Sequence, residues 1–569
     1  MKQVILKILK EAIKKLDTKI KLKDEEILNS IEVPPSSELG DYAFPCFSLA
    51  GKLKMSPQET ALEIRSKIGN SQKEFQDIQT HDAYINFFLD RKALALSLIS
   101  EIKAQGDKFG KSDFGQNKAT MVEFPSPNTN KPLHIGHLRN MSLGEAISRI
   151  SEFNGERVIR ASLNNDKGVH ICKSMLAYQK WGKNKKPSKK IKSDKLVGEF
   201  YVLFNKKSGK NEELEKEAHD MLRKWEAGDE ETRELWKKMN KWALDGFKET
   251  YKNFGIKHDI EYYESDIYSK GKEIILEGVK KGIFKKEDDG AVLINLEKQG
   301  LGKKYLLRSD GTTVYMTQDI YLAFLKQKEF NLNKSIYIVG NEQDYHFRVL
   351  FYLLEKLGFD SKNLKHLSYG MVNLPEGKMK SREGKVVDAD DLISDVQNLV
   401  KKELASRGKL SKKQLEERSL KITLAAIKYF LLKIDIKKDM LFNPKKSINF
   451  EGDTGPYLLY SYARASSILN KAKTRNKKIP AGKLEEKEIE LIVKLSQFKE
   501  IVAKSFKDLN PSYIANYSYQ LSQTFNEFYH VCPVIGSENE FFRISLVESF
   551  KQVLKNSLLL LGIETLEKM

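Results

Sequence analysis

A chain of 569 residues, 40% apolar and 31% charged, has the length for about three or four domains with a core in each. Its formal charge of +20, with lysine far outnumbering arginine, points to a polyanionic partner, nucleic acid first, or to a plain lysine-rich composition. No apolar run approaches the roughly 20 residues of a membrane span. The charged N-terminus breaks any signal-peptide core, and Cys46, Cys172 and Cys532 lie too far apart for a disulfide framework or a structural zinc, so a reducing, cytoplasmic setting is expected.

Ile5, Ile8, Leu9, Ala12, Ile13 and Leu16 make an apolar helical face, read as a first core helix in preference to a membrane-surface one. The run PPSSELGDYAFPCFSLAGKL passes through a Gly-Asp turn into a helix, and HDAYINFFLD reads as an aromatic strand. Residues 1–110 therefore form an α+β module. Ala119 to Phe124 has the character of a buried strand that Pro125, Pro127, Asn128 and Pro132 prevent from continuing. A helix follows, with Leu143, Ala146, Ile147 and Ile150 on one face. Asn154-Gly155 ends it, and Val158 to Ala161 is the next strand.

In a βαβ unit the loop after the first strand and the helix start behind it make an anion site, because unpaired backbone N–H groups point outward there. His134 and His137 share a face of that first turn and suit phosphate oxygens, while Gly136 leaves the backbone open to a flat adenine. Two surface histidines beside a turn is the plainer alternative. Asn164-Asn165-Asp166 follows the second strand, where polar groups meet substrate. The lysine-rich run 183–195 is a solvated loop that contacts RNA or nothing. An insertion spans about 180–300, helical as far as Phe254, and the sheet pattern returns from Tyr305.

There YLLRSDGTTVYMTQDIYLAFL gives a turn and a helix, SIYIVG a continuous apolar strand before NEQDYHFR and another helix, and HLSYGMV a further strand. LPEGKMKSREGKVV reads as a polar, mobile loop. From residue 415 the pattern is helical, and Tyr457, Tyr460 and Arg464 share one helical face suited to stacking splayed bases, or to ordinary packing.

His134-Ile-Gly-His137 resembles the signature of class I aminoacyl-tRNA synthetases, and SPNTNKPLHIGHLRN resembles the arginyl-tRNA synthetases in particular. GDYA, an INFF-like strand, EGDTGPYLLYSYARASSIL and the ending LLLLGIETLEKM extend the likeness to the whole chain. The fold this implies is α/β: a Rossmann-type catalytic domain over 111–414 with an insertion and a signature loop at 378–384, the N-terminal module, and an all-α anticodon-binding domain over 415–569. The resemblance implies ATP with Mg2+, L-arginine and tRNA(Arg) as substrates, an arginyl-adenylate intermediate and transfer to a 2′-OH. No zinc, no membrane and a monomer are expected.

Residue by residue, the resemblance places Pro127, His134, Gly136, His137, Lys378, Met379, Lys380 and Ser381 at ATP. It places Ser126 and Asn128 at the amino acid's backbone groups, and Glu264, Tyr315, Asp319 and Gln343 around its side chain. A guanidinium demands carboxylates, since donors left unpaired in a pocket are costly. Asn86, Phe87, Tyr457, Tyr460 and Arg464 would meet tRNA, although a core role suits Phe87 or Phe88 equally. KMKSREG departs from Lys-Met-Ser-Lys-Ser, with Lys380 where Ser is usual and Ser381 where the second lysine belongs. Lys131 is the replacement the family pattern suggests, with Lys380 as the alternative; His134, His137, Lys131 and Lys378 are the catalytic set. Other class I synthetases and a non-catalytic RNA-binding paralogue are the rival readings; the paralogue would be free to lose His134, His137 or Lys378, and all three are present.

Overall fold

The structure, a computed structural model, describes residues 2–16, 22–69, 74–209, 211–373, 387–472 and 482–569. It divides into two compact units: Met1–Gly106 with Lys471–Ser496 and Glu527–Ser549, and Asp107–Asn470 with Gln497–Asn526 and Phe550–Met569. The C-terminal helices expected as one domain are thus shared between the units. Among the described residues no helix is long and apolar enough to cross a membrane.

In the first unit, β1 (Tyr42–Pro45), β2 (Phe75–His81) and β3 (Tyr84–Leu89) form an antiparallel sheet with β3 in the middle. Helix Lys2–Leu16 lays Ile5, Ile8, Leu9, Ala12 and Ile13 into the same core, as its apolar stripe requires. Asn86 and Phe87, expected at tRNA, lie on the middle strand β3. Successive residues of a strand face opposite sides, and both sides of this central strand are covered, leaving Asn86 4% and Phe87 0% exposed. The Phe87 ring packs 5.3 Å from Phe75.

The second unit is built on β4 (Ala119–Glu123), β5 (Arg157–Asn164) and β6 (Ile260–Tyr263), followed by a small antiparallel sheet of β7 (Lys285–Lys286), β8 (Val292–Leu296) and β9 (Gly302–Leu307), and then β10 (Lys334–Gly340) and β11 (Leu364–Tyr369). The main sheet is wholly parallel, in the order β11-β10-β4-β5-β6. The chain winds outward from β4 in one direction to β6, then returns beside β4 and winds the other way. The crevice outside the carboxyl ends of β4 and β10 is therefore the place for a ligand. One expectation fails in this region: the supposed insertion over 180–300 is interrupted by β6, which pairs with β5 over Ala161–Asn164. Four residues, Ile-Glu-Tyr-Tyr, at a sheet edge are too short a run to be read as a strand.

Helix α1 (Ile135–Phe153) crosses from β4 to β5. Its approach to the sheet depends on Gly144, where an added Cβ would lie 2.2 Å from the Phe124 ring. Helices α2 (Ser193–Ser208) and α3 (Glu230–Phe254) belong to the inserted segment, and Lys192 and Lys195 of the lysine-rich run are tied to Asp390 and Asp391 at 2.5 and 2.6 Å. Helix α4 (Tyr315–Phe330) is pinned to the sheet by a buried ion pair, Lys326 with Glu123 at the end of β4, the ammonium lying 4.9 Å from the Tyr337 ring.

Removing one partner of a buried pair strands the other charge. Lys326→Met should cost about 3–5 kcal/mol, whereas Lys326→Met with Glu123→Leu should regain most of it. Denaturant unfolding of the two variants checks this; equal losses would show that the pair is not what anchors α4.

Candidate active site

Helix α1 opens with an unusual cap. His134 is the N-cap residue, and its Nδ1 accepts from the Gly136 N–H at 3.1 Å. Three residues on, His137 Nδ1 accepts from the His134 N–H at 3.1 Å, completing a reciprocal capping box from two imidazoles. Because each Nδ1 is an acceptor, each neutral ring carries its proton on Nε2. Burial, reinforced by Lys131, holds His134 down to about 3, and burial with His134 and Lys131 beside it holds His137 well below the imidazole range. At neutral pH the pair is therefore two uncharged N–H donors, ring centroids 4.0 Å apart, at the positive end of a helix. Gly136 is needed by the histidine itself, since a Cβ there would lie 2.9 Å from His134 Cε1.

The chain around this turn is fixed from two sides. Ile135 N and Ala389 N donate to Val387 O and Leu133 O at 3.3 and 2.9 Å, so the strap after residue 386 runs against the cap. Arg139, 0% exposed, donates to Gly370 O at 2.6 Å and to Ile436 O and Lys438 O at 3.0 Å. Burial lowers this guanidinium to about 10. Its partners are remote in sequence, and the helix carries other charged residues, Glu145, Arg149 and Glu152, so nothing in the local sequence marked its role.

Beside the cap, the carboxyl ends of the strands gather acids. The loop after β4 holds Ser126 at φ +53°, with Leu163 N donating to Ser126 Oγ at 3.3 Å and Asn165 Nδ2 donating to Ser126 O at 3.2 Å. Asn128, exposed, bridges to Asn165, and Pro127 O accepts from Asn165 N at 2.9 Å. After β5, Asp166 is buried against Ser265 N and Oγ at 2.8 and 2.7 Å, while Trp236 and Asn240 of α3 donate to its carbonyl. Burial pushes Asp166 up to about 6 in spite of those bonds.

Directly after β6 comes Glu264, 7% exposed. Among the described residues its carboxylate makes no hydrogen bond or ion pair. Burial pushes it up to about 7; Lys167 opposes the shift, and Asp166 and Asp319 add to it. Lys167 is itself paired with Glu226 at 2.6 Å. Asp319 and Tyr315, one turn apart on α4, face the same place: Asp319 acts on Glu264, and Glu264 with burial raises the Tyr315 phenol. Gln343 is exposed in the turn after β10.

An anion site of neutral donors and a buried, unpaired glutamate with other acids beside it thus lie at the crevice of a parallel sheet. Three family descriptions match the chain: tRNA synthetases class I (R), catalytic domain, over 98–443; the DALR anticodon binding domain over 458–569; and the arginyl tRNA synthetase N terminal domain over 3–89. An arginine–tRNA ligase of Treponema denticola is 48% identical over 560 residues, covering 95% of each chain. The chain belongs to the arginyl-tRNA synthetase family. A second relative of that name, from Borrelia hermsii, is 43% identical and covers 100% of this chain and 99% of its own. The arginyl-tRNA synthetase of Thermus thermophilus shares the fold, with a TM-score of 0.84 at 24% identity and 100% of both chains covered.

Other residues singled out by likeness to arginyl-tRNA synthetases fall as follows. Lys131, half-buried, has no ion-pair partner among the described residues, and burial lowers its ammonium. Lys378, Met379, Lys380 and Ser381 lie outside the described residues. Helix α6 (Gly455–Lys471) carries Tyr457, Tyr460 and Arg464 on one half-buried face. Arg464 Nη2 donates to Tyr460 Oη at 3.0 Å, with the guanidinium 4.7 Å from that ring. Asn526 of α7 (Ser512–Val531) donates to Tyr457 Oη at 2.9 Å and accepts from Arg464 Nη1 at 2.5 Å.

The raised Glu264 carboxyl predicts a measurable stability cost. Its folded value, about 7, lies above its ordinary 4.5, so between those pH values the folded chain holds a proton the unfolded chain has released. Stability should fall as pH rises through that window and stay level outside it. Glu264→Gln removes the effect, and should unfold about 3 kcal/mol harder than wild type at pH 8 but equally at pH 4. Denaturant melts at both pH values decide this; no gain at pH 8 would mean Glu264 has a counter-charge in the folded protein.

Proposed function

We propose that this chain joins L-arginine to tRNA(Arg) at the expense of ATP, through an arginyl-adenylate and transfer to the 2′-OH of the terminal adenosine. The observation that carries this reading is Glu264, a buried carboxylate whose missing partner is a cation and which faces a second carboxylate, Asp319. Two acids acting on one another suit a guanidinium with five donors better than an ammonium, because a planar fork can satisfy both. Tyr315 and Gln343 close the pocket, and Ser126 and Asn128 hold the α-amino and α-carboxyl groups.

The arginine carboxylate then attacks the α-phosphorus of ATP and pyrophosphate leaves. Negative charge grows on the phosphate oxygens, and the Nε2–H groups of His134 and His137 are aimed as fixed donors for it. Being neutral, they bind phosphate without the cost of a buried imidazolium. Magnesium arrives with the triphosphate as part of the substrate; rings that present N–H groups serve phosphate oxygens, not a metal ion. Lys131, a half-buried ammonium without a counter-charge among the described residues, supplies the cation that Ser381 does not. On α6, Tyr457, Tyr460 and Arg464 form a locked platform for anticodon bases.

Charging assays with each amino acid test the reading: arginine alone should be attached, and attachment of another would refute it. Lys131→Ala should slow adenylate formation about a hundredfold, roughly 3 kcal/mol, with its unfolding midpoint unchanged. A rate near wild type, together with a crippled Lys380→Ala, would return the second cation to the loop.

A further inference from the structure

A carboxylate on a helix keeps two soft torsions, and a guanidinium fork rewards it only if its plane and distance are fixed. Asp319 receives such a constraint from outside its own helix. His346 Nε2 lies 2.7 Å from Asp319 Oδ2, reaching across from α5 (Asp344–Lys356). The imidazole is braced in turn: it stands edge-on to Phe347 at 5.8 Å and 88°, and Phe347 stacks on His366 at 4.2 Å and 24°. His366 belongs to the edge strand β11, and its Nε2 lies 3.1 Å from Val339 O of the neighbouring β10. A continuous line of contacts therefore runs from one edge of the parallel sheet to one oxygen of Asp319. Among the described residues the other oxygen has no hydrogen-bond partner.

We infer that His346 is a positioning residue for the arginine side chain, which holds Asp319 by Oδ2 and so presents Oδ1 to the guanidinium. The inference rests on the reading of Glu264 and Asp319 as the arginine pocket. Donation from Nε2–H occupies one carboxylate oxygen and sets the direction in which the other is offered to the substrate. His346 touches no reacting atom, and its effect belongs to arginine recognition alone.

The test compares His346→Met, which keeps bulk without a donor, with His346→Gln, whose amide Nε2 can donate in place of the ring. Steady-state kinetics should show the arginine KM of His346→Met raised about tenfold, as the loss of one charge-assisted hydrogen bond implies, with kcat and the KM for ATP unchanged. His346→Gln should recover most of the loss. If Met proves unable to fold, His346→Ala takes its place in the comparison. Asp319→Ala is measured in parallel. If Asp319→Ala raises the arginine KM and the donorless His346 variant does not, His346 has no positioning role and the pocket stands. If Asp319→Ala leaves that KM unchanged, the pocket reading itself fails. A donorless variant that lowers kcat and raises both KM values alike, or that Gln does not rescue, overturns the inference in favour of plain packing.

Discussion

The site depends on a charge pair that takes no part in the chemistry. Glu123 ends the central strand of the parallel sheet, and Lys326 of α4 meets it in the interior, beside the Tyr337 ring. Such a pair adds little net stability over apolar residues of equal volume, because desolvation consumes most of its attraction. What it fixes is where α4 lies. Asp319 and Tyr315 sit about two and three turns from Lys326 toward the helix start, and a slide of α4 along the sheet would carry both away from Glu264. The cation above the sheet is thus a register pin for the residues proposed to meet the substrate.

Burial acts on the two halves of the site in opposite senses. It strips the proton from His134 and His137 and holds it on Glu264, because in each case the charged form is the one that loses water. The half proposed for triphosphate is therefore uncharged and rich in donors, and in the half proposed for the amino acid Glu264 favours its neutral form until a cation enters to offset the cost of its charge. One physical effect, desolvation at the mouth of a parallel sheet, equips neighbouring places for ligands of opposite sign.

Much of this was written locally in the chain. The strand, proline-broken loop and helix from Ala119 to Phe153 follow from apolar runs and breakers, and the histidines mark the turn between them. The interior helix face of Lys2–Leu16 was equally plain. What escaped was non-local. Strand β6 is four residues long and half polar, so only its pairing with β5 makes it a strand. Arg139 donates to carbonyls of residues 370, 436 and 438, and no window of sequence contains both donor and acceptors. The burial of Asn86 and Phe87 was not legible either, because alternation shows which residues share a face but not whether both faces of a central strand are covered.

The histidine cap has a consequence for how this protein can change over time. Nδ1 of each ring starts a helix while Nε2 is the donor proposed for the nucleotide, so folding and the proposed chemistry draw on opposite edges of the same imidazoles. A drifting codon at either position would be felt first by the nascent chain, through the loss of a helix cap, before any ATP was bound. Selection for folding alone would then disfavour most replacements. A copy of this enzyme relieved of its duty in translation would tend to keep both histidines long after they had ceased to serve a reaction.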